Sequence, residues 1–341
     1  MLKDEVLHVL EQRKGTVVTG GQLATILGVS RNAIWKSVHV LQDNGSKIVS
    51  IPNIGYKLLD DDDSLSAQLI TKDLSTIFLG RNLKLLSTVH STNQYLRETD
   101  MASIENGYVV IADEQTLGRG RRNRVFLSTK GGGIYLSFIL KLNGVKQDIR
   151  LFTICAAVAV SKAIESICKI KADIKWVNDI YCNGKKICGI LTEAMMSGEL
   201  QELDTMIMGI GINTSTVPTE ISSFATSIQE ETGLCAIRNS LIAEVLNQFE
   251  IVYFDYTKRA KKKEIIQYYE SRLFIVNQEI TVMDAGETYT AIVLGVDDDG
   301  ALIVRNAVGE VNVITTGEIK LKTDGEKDKD RIAKSSNNDK H

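Results

Sequence analysis

GQLATILGVSRNAIWKSVHVLQDNG, Gly21 to Gly45, reads as two helices joined by a tight turn. Gly28 permits the left-handed backbone that stops the first helix. Ser30 stands where its hydroxyl can accept the free N–H groups that open the second. Beyond it Ala33, Ile34, Val38 and Leu41 return to one face at helical spacing. The opposite face shows Asn32, Trp35, Lys36 and His39, with Arg31 at its start. The two helices span residues 21–27 and 31–43, and a third helical pattern precedes them over 2–14. Downstream, IVSIPNIGYKLL (Ile48 to Leu59) reads as two short strands around Pro52–Gly55, a hairpin over 47–59. Together these elements predict a winged helix-turn-helix.

Residues 1–59 hold seven Lys and Arg against four Asp and Glu, while the 341-residue chain has a net charge of −3. The whole chain therefore has no global attraction to nucleic acid or membrane, and any such binding belongs to a local patch. Donors on the exposed face of the second helix suit phosphates and base edges in a major groove. Arg31, Asn32, Trp35, Lys36 and His39 are the candidate DNA contacts. A three-helix packing module with a solvated polar face is the alternative.

Composition breaks at Asp60–Asp63, four aspartates followed by Ser64. Like charges resist packing, so this run marks a linker or exposed boundary, and residues 1–63 form the first unit. Residues 64–271 form the second. Strand-like runs lie at Tyr108–Ala112, Ile134–Leu140, Ile174–Val177, Ile187–Ala194 and Thr205–Ile212. Helical patterns lie at 66–74, 92–99, 149–168, 238–256 and 262–271. The mixture lacks a regular βαβ repeat, so the class is α+β. Residues 272–322 alternate apolar and polar residues between Gly-bearing turns and predict a small antiparallel barrel or sandwich. The tail, 323–341, has only Ile332 and Ala333 as apolar residues and is expected to be disordered.

The N-terminus carries Asp4, Glu5 and Glu11 and has no apolar core of a signal peptide. No run reaches the roughly 18 uncharged apolar residues of a membrane span. The richest, Leu151–Ile167, is broken by Ser161, Lys162 and Glu165 and reads as a buried helix. The five cysteines are odd in number, scattered and without a CxxC spacing. Reduced thiols in a cytoplasmic protein fit that pattern better than disulfides or zinc.

Against this background GRGRRNR, Gly118 to Arg124, places four arginines in seven residues between two strand-like runs. Gly118 and Gly120 let the backbone bend closely around a ligand, and arginine forks bind carboxylate and phosphate oxygens. A groove-reading arm, an RNA-binding tail and solvated surface are the other readings; the tail is disfavoured inside a folded segment. Upstream, VHSTNQYL (Val89–Leu96) clusters Ser91, Thr92 and Asn93, alone no more than a helix cap. Downstream, IKWVNDIYCNGKKICGIL (Ile174–Leu191) sets Lys175, Trp176, Asn178, Asp179, Lys185 and Lys186 on apolar strands joined at Asn183–Gly184. Polar groups embedded in apolar strands indicate a site or a surface hairpin.

In this order HSTN, EQTLGRGRRNR, KWVNDI, GKKICGIL and GIGINT resemble the motif series of biotin protein ligases of the kind that also act as biotin operon repressors. The resemblance spans nearly the whole chain. It implies a winged helix, a ligase core like the class II synthetases and a small SH3-like C-terminal barrel. The chain departs from the family at Val177, commonly proline, at Phe126, usually tryptophan, and at Asn123, often glycine. These changes imply a less rigid backbone at Val177 and weaker stacking on an adenine, but remove no charged group.

The implied reaction joins biotin to the α-phosphate of ATP, giving biotinyl-5′-AMP, then passes the biotinyl group to a lysine of a biotin carboxyl carrier domain. By the resemblance Ser91, Thr92, Asn93 and Gln115 hold the ureido head, with Trp176 beside it or in the core. Arg119, Gly120 and Arg121 close over the carboxylate and phosphate, and Lys186 contacts both. Arg122 and Arg124 meet pyrophosphate or solvent, and Phe126, Asn178 and Asn213 lie near the nucleotide, Asn213 alternatively capping a strand. Asp179 is the Mg²⁺ carboxylate or a structural turn residue. For the acceptor lysine, arginine-rich surroundings or Asp179 would favour the free amine. Biotinyl-AMP as corepressor, a ligand-promoted homodimer and a two-fold operator complete the expectation, with no membrane partner. A ligand-sensing repressor without turnover and a lipoate-type acyl ligase are the rivals.

Overall fold

The computed structural model describes residues 2–43, 45–101, 103–142, 148–197, 202–235, 237–284 and 287–321. The expected disordered tail, 323–341, lies outside them. At the N-terminus α1 (Leu2–Glu11), β1 (Val17–Val18), α2 (Gly20–Leu27), α3 (Arg31–Asp43), β2 (Ile48–Ile51) and β3 (Gly55–Leu58) form a winged helix, with sheet order β1-β3-β2. Local chemistry sets its turns. Thr19 opens α2 with a reciprocal capping box to Gln22. Gly28 follows α2 at φ 65° and donates its N–H to the Ala24 carbonyl. Ser30 Oγ accepts the Ala33 N–H at 3.2 Å. Ile34, Val38 and Leu41 bury against Val6, Leu10 and Leu58.

The central unit runs α4 (Ala67–Lys72), β4 (Leu83–Leu86), α5 (Thr92–Arg97), β5 (Val109–Ala112), β6 (Gly133–Lys141), α6 (Ile149–Cys168), β7 (Asp173–Lys175), β8 (Asp179–Cys182), β9 (Lys185–Ser197), β10 (Glu202–Asn213), α7 (Ile228–Thr232), α8 (Arg238–Thr257) and α9 (Lys262–Ser271). Its seven strands lie in the order β4-β5-β6-β10-β9-β8-β7, and only β4 and β5 are parallel. Strand alternation serves both faces. Val109, Ile111, Leu136 and Phe138 join α6 and α8 in the main core, whereas Val110, Ile139 and Ile207 meet Leu96 of α5 on the other side. α6 is long and apolar enough to cross a membrane, but 78% of its most apolar window is buried inside the protein. β4 is an element the pattern did not show. The strand expected over Ile174–Val177 ends at Lys175, because Trp176–Asn178 form a turn.

The aspartate run divides. Asp60 and Asp61 are exposed, as a boundary would have them, but Asp62 is buried and Asp63 half-buried. Asp62 is 1% exposed and accepts the Lys47 N–H at 2.6 Å and the Ser64 hydroxyl at 3.0 Å. Asp63 accepts the backbone N–H and the Nε–H of Arg238, at 2.9 and 3.1 Å. Arg238 is 4% exposed and also meets Asp113 at 2.7 Å. The repulsion expected at Asp62 and Asp63 is offset by nearby donors, Lys47 and Ser64, and by Arg238, which lies 175 positions beyond Asp63.

β11 (Glu279–Asp284), β12 (Glu287–Val296), β13 (Leu302–Asn306), β14 (Val311–Ile314) and β15 (Glu318–Leu321) form one antiparallel sheet, ordered β14-β13-β12-β11-β15. Among the described residues no pairing joins β14 to β15, so the expected barrel is an open sheet.

One buried carboxylate locks the edge of the core. Glu250, 5% exposed on α8, accepts the backbone N–H groups of Ile77, Phe78 and Leu79. Glu250→Ala leaves all three amides without their acceptor and should destabilise the core by on the order of 3 kcal/mol. Urea unfolding of the variant should show a lower midpoint; a midpoint within error of the parent would contradict this role.

Candidate active site

The sequence clusters converge on one cleft of about 570 Å³ over the middle of the large sheet. Its floor lacks side chains where strands β9 and β10 pair. Gly189 and Gly211 are register partners. The Phe126 ring lies over them, and a Cβ on Gly211 would stand 2.6 Å from that ring. A side chain on Gly209 would collide with the Asn93 amide. Gly189 also leaves room for Lys186, whose Nζ would be 3.2 Å from a Cβ there. The glycines of CGIL and GIGINT are thus the condition for rings and amides to lie flat on the sheet.

Ser91, Thr92 and Asn93 form one wall and are 4%, 4% and 5% exposed. Ser91 occupies the N-cap of α5 but makes no capping hydrogen bond, so its hydroxyl is not committed to the helix. Thr92 donates its N–H to Gln115 Oε1 at 2.8 Å, and Gln115 Nε2 donates to Ser128 Oγ at 2.9 Å. These bonds tie the wall to the base of the arginine loop.

The loop is a small hairpin. Gly120 donates to the Arg124 carbonyl at 2.7 Å and Phe126 to the Gly118 carbonyl at 2.9 Å. A single 3-10 turn, Arg121–Asn123, caps it, with Arg122 and Asn123 at φ 54° and 58°. A left-handed asparagine is a tolerable substitute for glycine, which accounts for Asn123. The protein itself meets most of the loop's cations. Arg121 donates to Asn178 Oδ1 at 3.1 Å and to the Gly317 carbonyl at 3.0 Å. Arg122 and Arg124 both pair with Glu318 on β15. Burial holds the Arg121 guanidinium below the ordinary arginine range, Asp179 opposes that shift, and Arg122 adds to it. Arg119 is exposed, lines the cleft with Gly120, and has no ion pair among the described residues.

Opposite stands the KWVND turn. Asn178 donates to the Ile190 carbonyl at 2.6 Å, which aims its oxygen at Arg121. Asp179 and Lys186 pair at 2.8 Å, with side chains 23% and 31% exposed. Trp176 is 4% exposed and donates its indole N–H to the Gly300 carbonyl at 3.0 Å, so it both lines the cleft and anchors the C-terminal sheet. Asn213 stands apart. It is not among the lining residues and donates to the Thr226 carbonyl at 3.0 Å, holding the segment that brings Phe224 to the cleft. No group of three or more His, Cys, Asp or Glu that could hold a metal occurs among the described residues; Asp179 is the carboxylate that faces the cations.

On the winged helix, Arg31, Asn32, Trp35 and Lys36 are exposed along α3. His39 is half-buried, edge-on to Trp35 at 4.2 Å, with Nδ1 3.1 Å from Gln42 Oε1.

Comparison with known proteins agrees with this layout. Residues 3–57 match an HTH domain, 85–213 the biotin/lipoate A/B protein ligase family, and 275–322 the biotin protein ligase C-terminal domain. A bifunctional ligase/repressor BirA of Bacillus spizizenii is 33% identical over 324 residues, covering 94% of this chain and 98% of its own length. The chain belongs to the BirA family of bifunctional ligase/repressors. The Escherichia coli BirA is 27% identical over 91% of this chain and 94% of its own. A biotin protein ligase from Aquifex aeolicus, solved with biotin and ATP, matches with a TM-score of 0.62 at 30% identity, covering 71% of this chain and 99% of that one.

Two residues that line this BirA-family cleft, Phe224 and Glu318, and two behind it, Ser137 and Glu193, were not visible in the motifs. Ser137 sits inside an apolar strand, Glu193 beyond the GKKICGIL stretch, Phe224 in an irregular segment and Glu318 in another domain. Glu318 had no local signal, since its partners Arg122 and Arg124 lie 196 and 194 positions away. For Ser137, a single serine among the apolar residues of GIYLSFIL was a detectable sign.

Proposed function

We propose that this cleft activates biotin as an adenylate and transfers the biotinyl group to a carrier lysine, and that the winged helix makes the same protein a biotin-responsive repressor. The observation that carries the reading is the convergence of Arg119, Arg121 and Lys186 with the Ser91–Asn93 wall in one cleft. Ser91, Thr92 and Gln115 hold the ureido head, with Asn93 acting from behind Thr92, while the cations receive the carboxylate and the α-phosphate. A carboxylate is already ionised at neutral pH, so the first step needs no base. One of its oxygens bonds to the α-phosphorus, and the bond to pyrophosphate breaks. Arg119, Arg121 and Lys186 stabilise the charge that builds on the phosphorus oxygens. Arg122 and Arg124 exchange Glu318 for the departing pyrophosphate. Phe126, with Asn178 behind it, borders the nucleotide, and Asn213 acts through the segment it holds.

One carboxylate with phosphate oxygens and water is a sufficient set for Mg²⁺, and Asp179 would supply it. Bound there, Mg²⁺ neutralises phosphate charge. In the second step the acceptor amine bonds to the biotinyl carbonyl carbon as the bond to AMP breaks. A lysine is neutral only about once in 2,500 molecules at pH 7. Once Lys186 turns to the ligand, Asp179 is placed to take the proton; the surrounding arginines favour the free amine as well.

An antiparallel sheet carrying adenylate chemistry supports kinship with class II synthetases. Four of five cysteines are buried and all are free, which supports a cytoplasmic setting. We assign Arg31 and Lys36 to DNA phosphates and Asn32, Trp35 and His39 to base edges of a two-fold operator bound by a ligand-promoted homodimer. Lys36→Ala should weaken binding about equally across sequences and lower the salt slope by about one. An unchanged slope would remove Lys36 from the phosphate contacts. The reaction is tested by intact mass of a biotin carboxyl carrier domain. It should gain one biotinyl group only when protein, biotin and ATP are all present. Sedimentation with biotin and ATP but without the carrier domain should show dimer, and a protein that stays monomeric there would refute the regulatory half.

A further inference from the structure

Behind the Ser91–Asn93 wall lies a chain of polar groups whose hydrogen-bond directions are fixed by chemistry. It begins outside the cleft at Glu193 on β9, which pairs with Arg97. One end of the Asn93 amide faces Glu193 Oε2 at 2.7 Å and the Leu191 carbonyl at 3.3 Å. A carboxylate and a carbonyl can only accept. That end of Asn93 is therefore its NH₂, and Oδ1 faces Ser137 Oγ at 2.6 Å. Ser137 is fully buried and has one proton, which it donates to Asn93. Its oxygen is also 2.6 Å from Thr92 Oγ1. With its proton committed, Ser137 can only accept from Thr92.

The other neighbour of Thr92 Oγ1 is Gln115 Oε1, at 3.1 Å. It too is an acceptor, since the Thr92 N–H donates to it. Whichever neighbour Thr92 chooses, its proton points inward. The lone pairs that remain are what Thr92 offers the cleft.

We propose that Glu193, Asn93 and Ser137 form a relay that fixes Thr92 Oγ1 as an acceptor, so that the site selects a ligand presenting an N–H donor there. This rests on placing the ureido head of biotin at Thr92. Glu193, Asn93 and Ser137 act as positioning residues through Thr92. The relay makes the far-side ion pair of Glu193 and Arg97 part of ligand choice, although neither residue lines the cleft.

The test uses biotin and its two carbamate analogues, in which one or other ureido N–H is replaced by oxygen, with pyrophosphate release as the readout. For one analogue the parent protein should show a KM at least about 10²-fold above that of biotin, because an oxygen would face a fixed lone pair. Ser137→Ala frees the Asn93 amide and removes the nearer of the two acceptors that hold the Thr92 proton, leaving only Gln115 Oε1 at 3.1 Å. Glu193→Gln can donate to Asn93 and lets its amide turn over. In each variant the KM ratio should shrink by about tenfold, roughly one hydrogen bond's worth, while kcat at saturating biotin holds. A general loss of packing would lower active protein without altering that ratio, and Glu193→Gln keeps the test available should Ser137→Ala misfold. Thr92→Val separates the two claims. If it raises the KM for biotin while both relay variants keep the parental ratio, the relay is wrong and the placement stands. If it leaves the KM for biotin unchanged, the placement falls and the relay with it.

Discussion

Arg121→Ala should slow adenylate formation by about 10²- to 10³-fold while leaving the protein folded. The size of the effect follows from preorganisation. Asn178 and the Gly317 carbonyl hold the guanidinium at 3.1 and 3.0 Å. Asn178 is itself fixed on the Ile190 carbonyl. A cation held before ligand arrives needs little reorganisation as charge develops on phosphorus. Its partial burial, which also lowers its titration, places it where an interaction with a developing charge is less screened than in water. Lysine is a poor replacement, because an ammonium cannot reach both anchors and a phosphate in one plane. Single-turnover pyrophosphate release, with biotin and ATP saturating, should show the loss for both Arg121→Ala and Arg121→Lys. A rate within threefold of the parent would remove Arg121 from the chemical step.

Arg238→Ala carries the largest expected effect on stability, about 3–5 kcal/mol. The side chain is 4% exposed and joins three segments. It donates to both the carboxylate and the carbonyl of Asp63 at the end of the winged helix. It meets Asp113, where the arginine loop leaves β5, and the Gly133 carbonyl, where the loop enters β6. Removing it leaves two carboxylates with no cation between them.

The pH dependence gives the sign. Burial already raises the titration of Asp63 above its ordinary value, and Arg238 opposes that rise. Without Arg238 the native state holds the Asp63 proton more tightly than the unfolded chain. Such a group destabilises the fold most above its native pKa, and the penalty fades as pH falls toward the unfolded value. The loss in Arg238→Ala should therefore be smaller near pH 5 than near pH 8. Denaturant midpoints at the two values decide this; a loss that grows on acidification would contradict it.

These two predictions also mark how far the sequence could be read. The winged helix was legible because its determinants are local: Gly28, the Ser30 cap and the apolar spacing of Ile34, Val38 and Leu41 lie within a few turns. The long helices α6 and α9 were legible over their full lengths for the same reason. The burial at the end of the aspartate run was not, since Arg238 lies 175 positions beyond Asp63. Nor was β4, whose four residues include the exposed Lys84 and no β-branched side chain. The KWVND motif announced chemistry, but its turn was hidden by apolar flanks that read as strand. At the site, motifs named the cations and the polar wall. What holds them, namely Glu318, Ser137 and Glu193, came from strands whose local pattern says only that they are strands.

The most direct measurement mixes the purified protein with Mg²⁺, ATP and either biotin or lipoate and follows pyrophosphate. A burst of about one equivalent per site with biotin, and none with lipoate, is the result predicted for a cleft that activates one carboxylate and retains the adenylate. Tight biotin binding with no pyrophosphate would contradict the account, and would leave the arginine hairpin as part of a sensor rather than of a ligase.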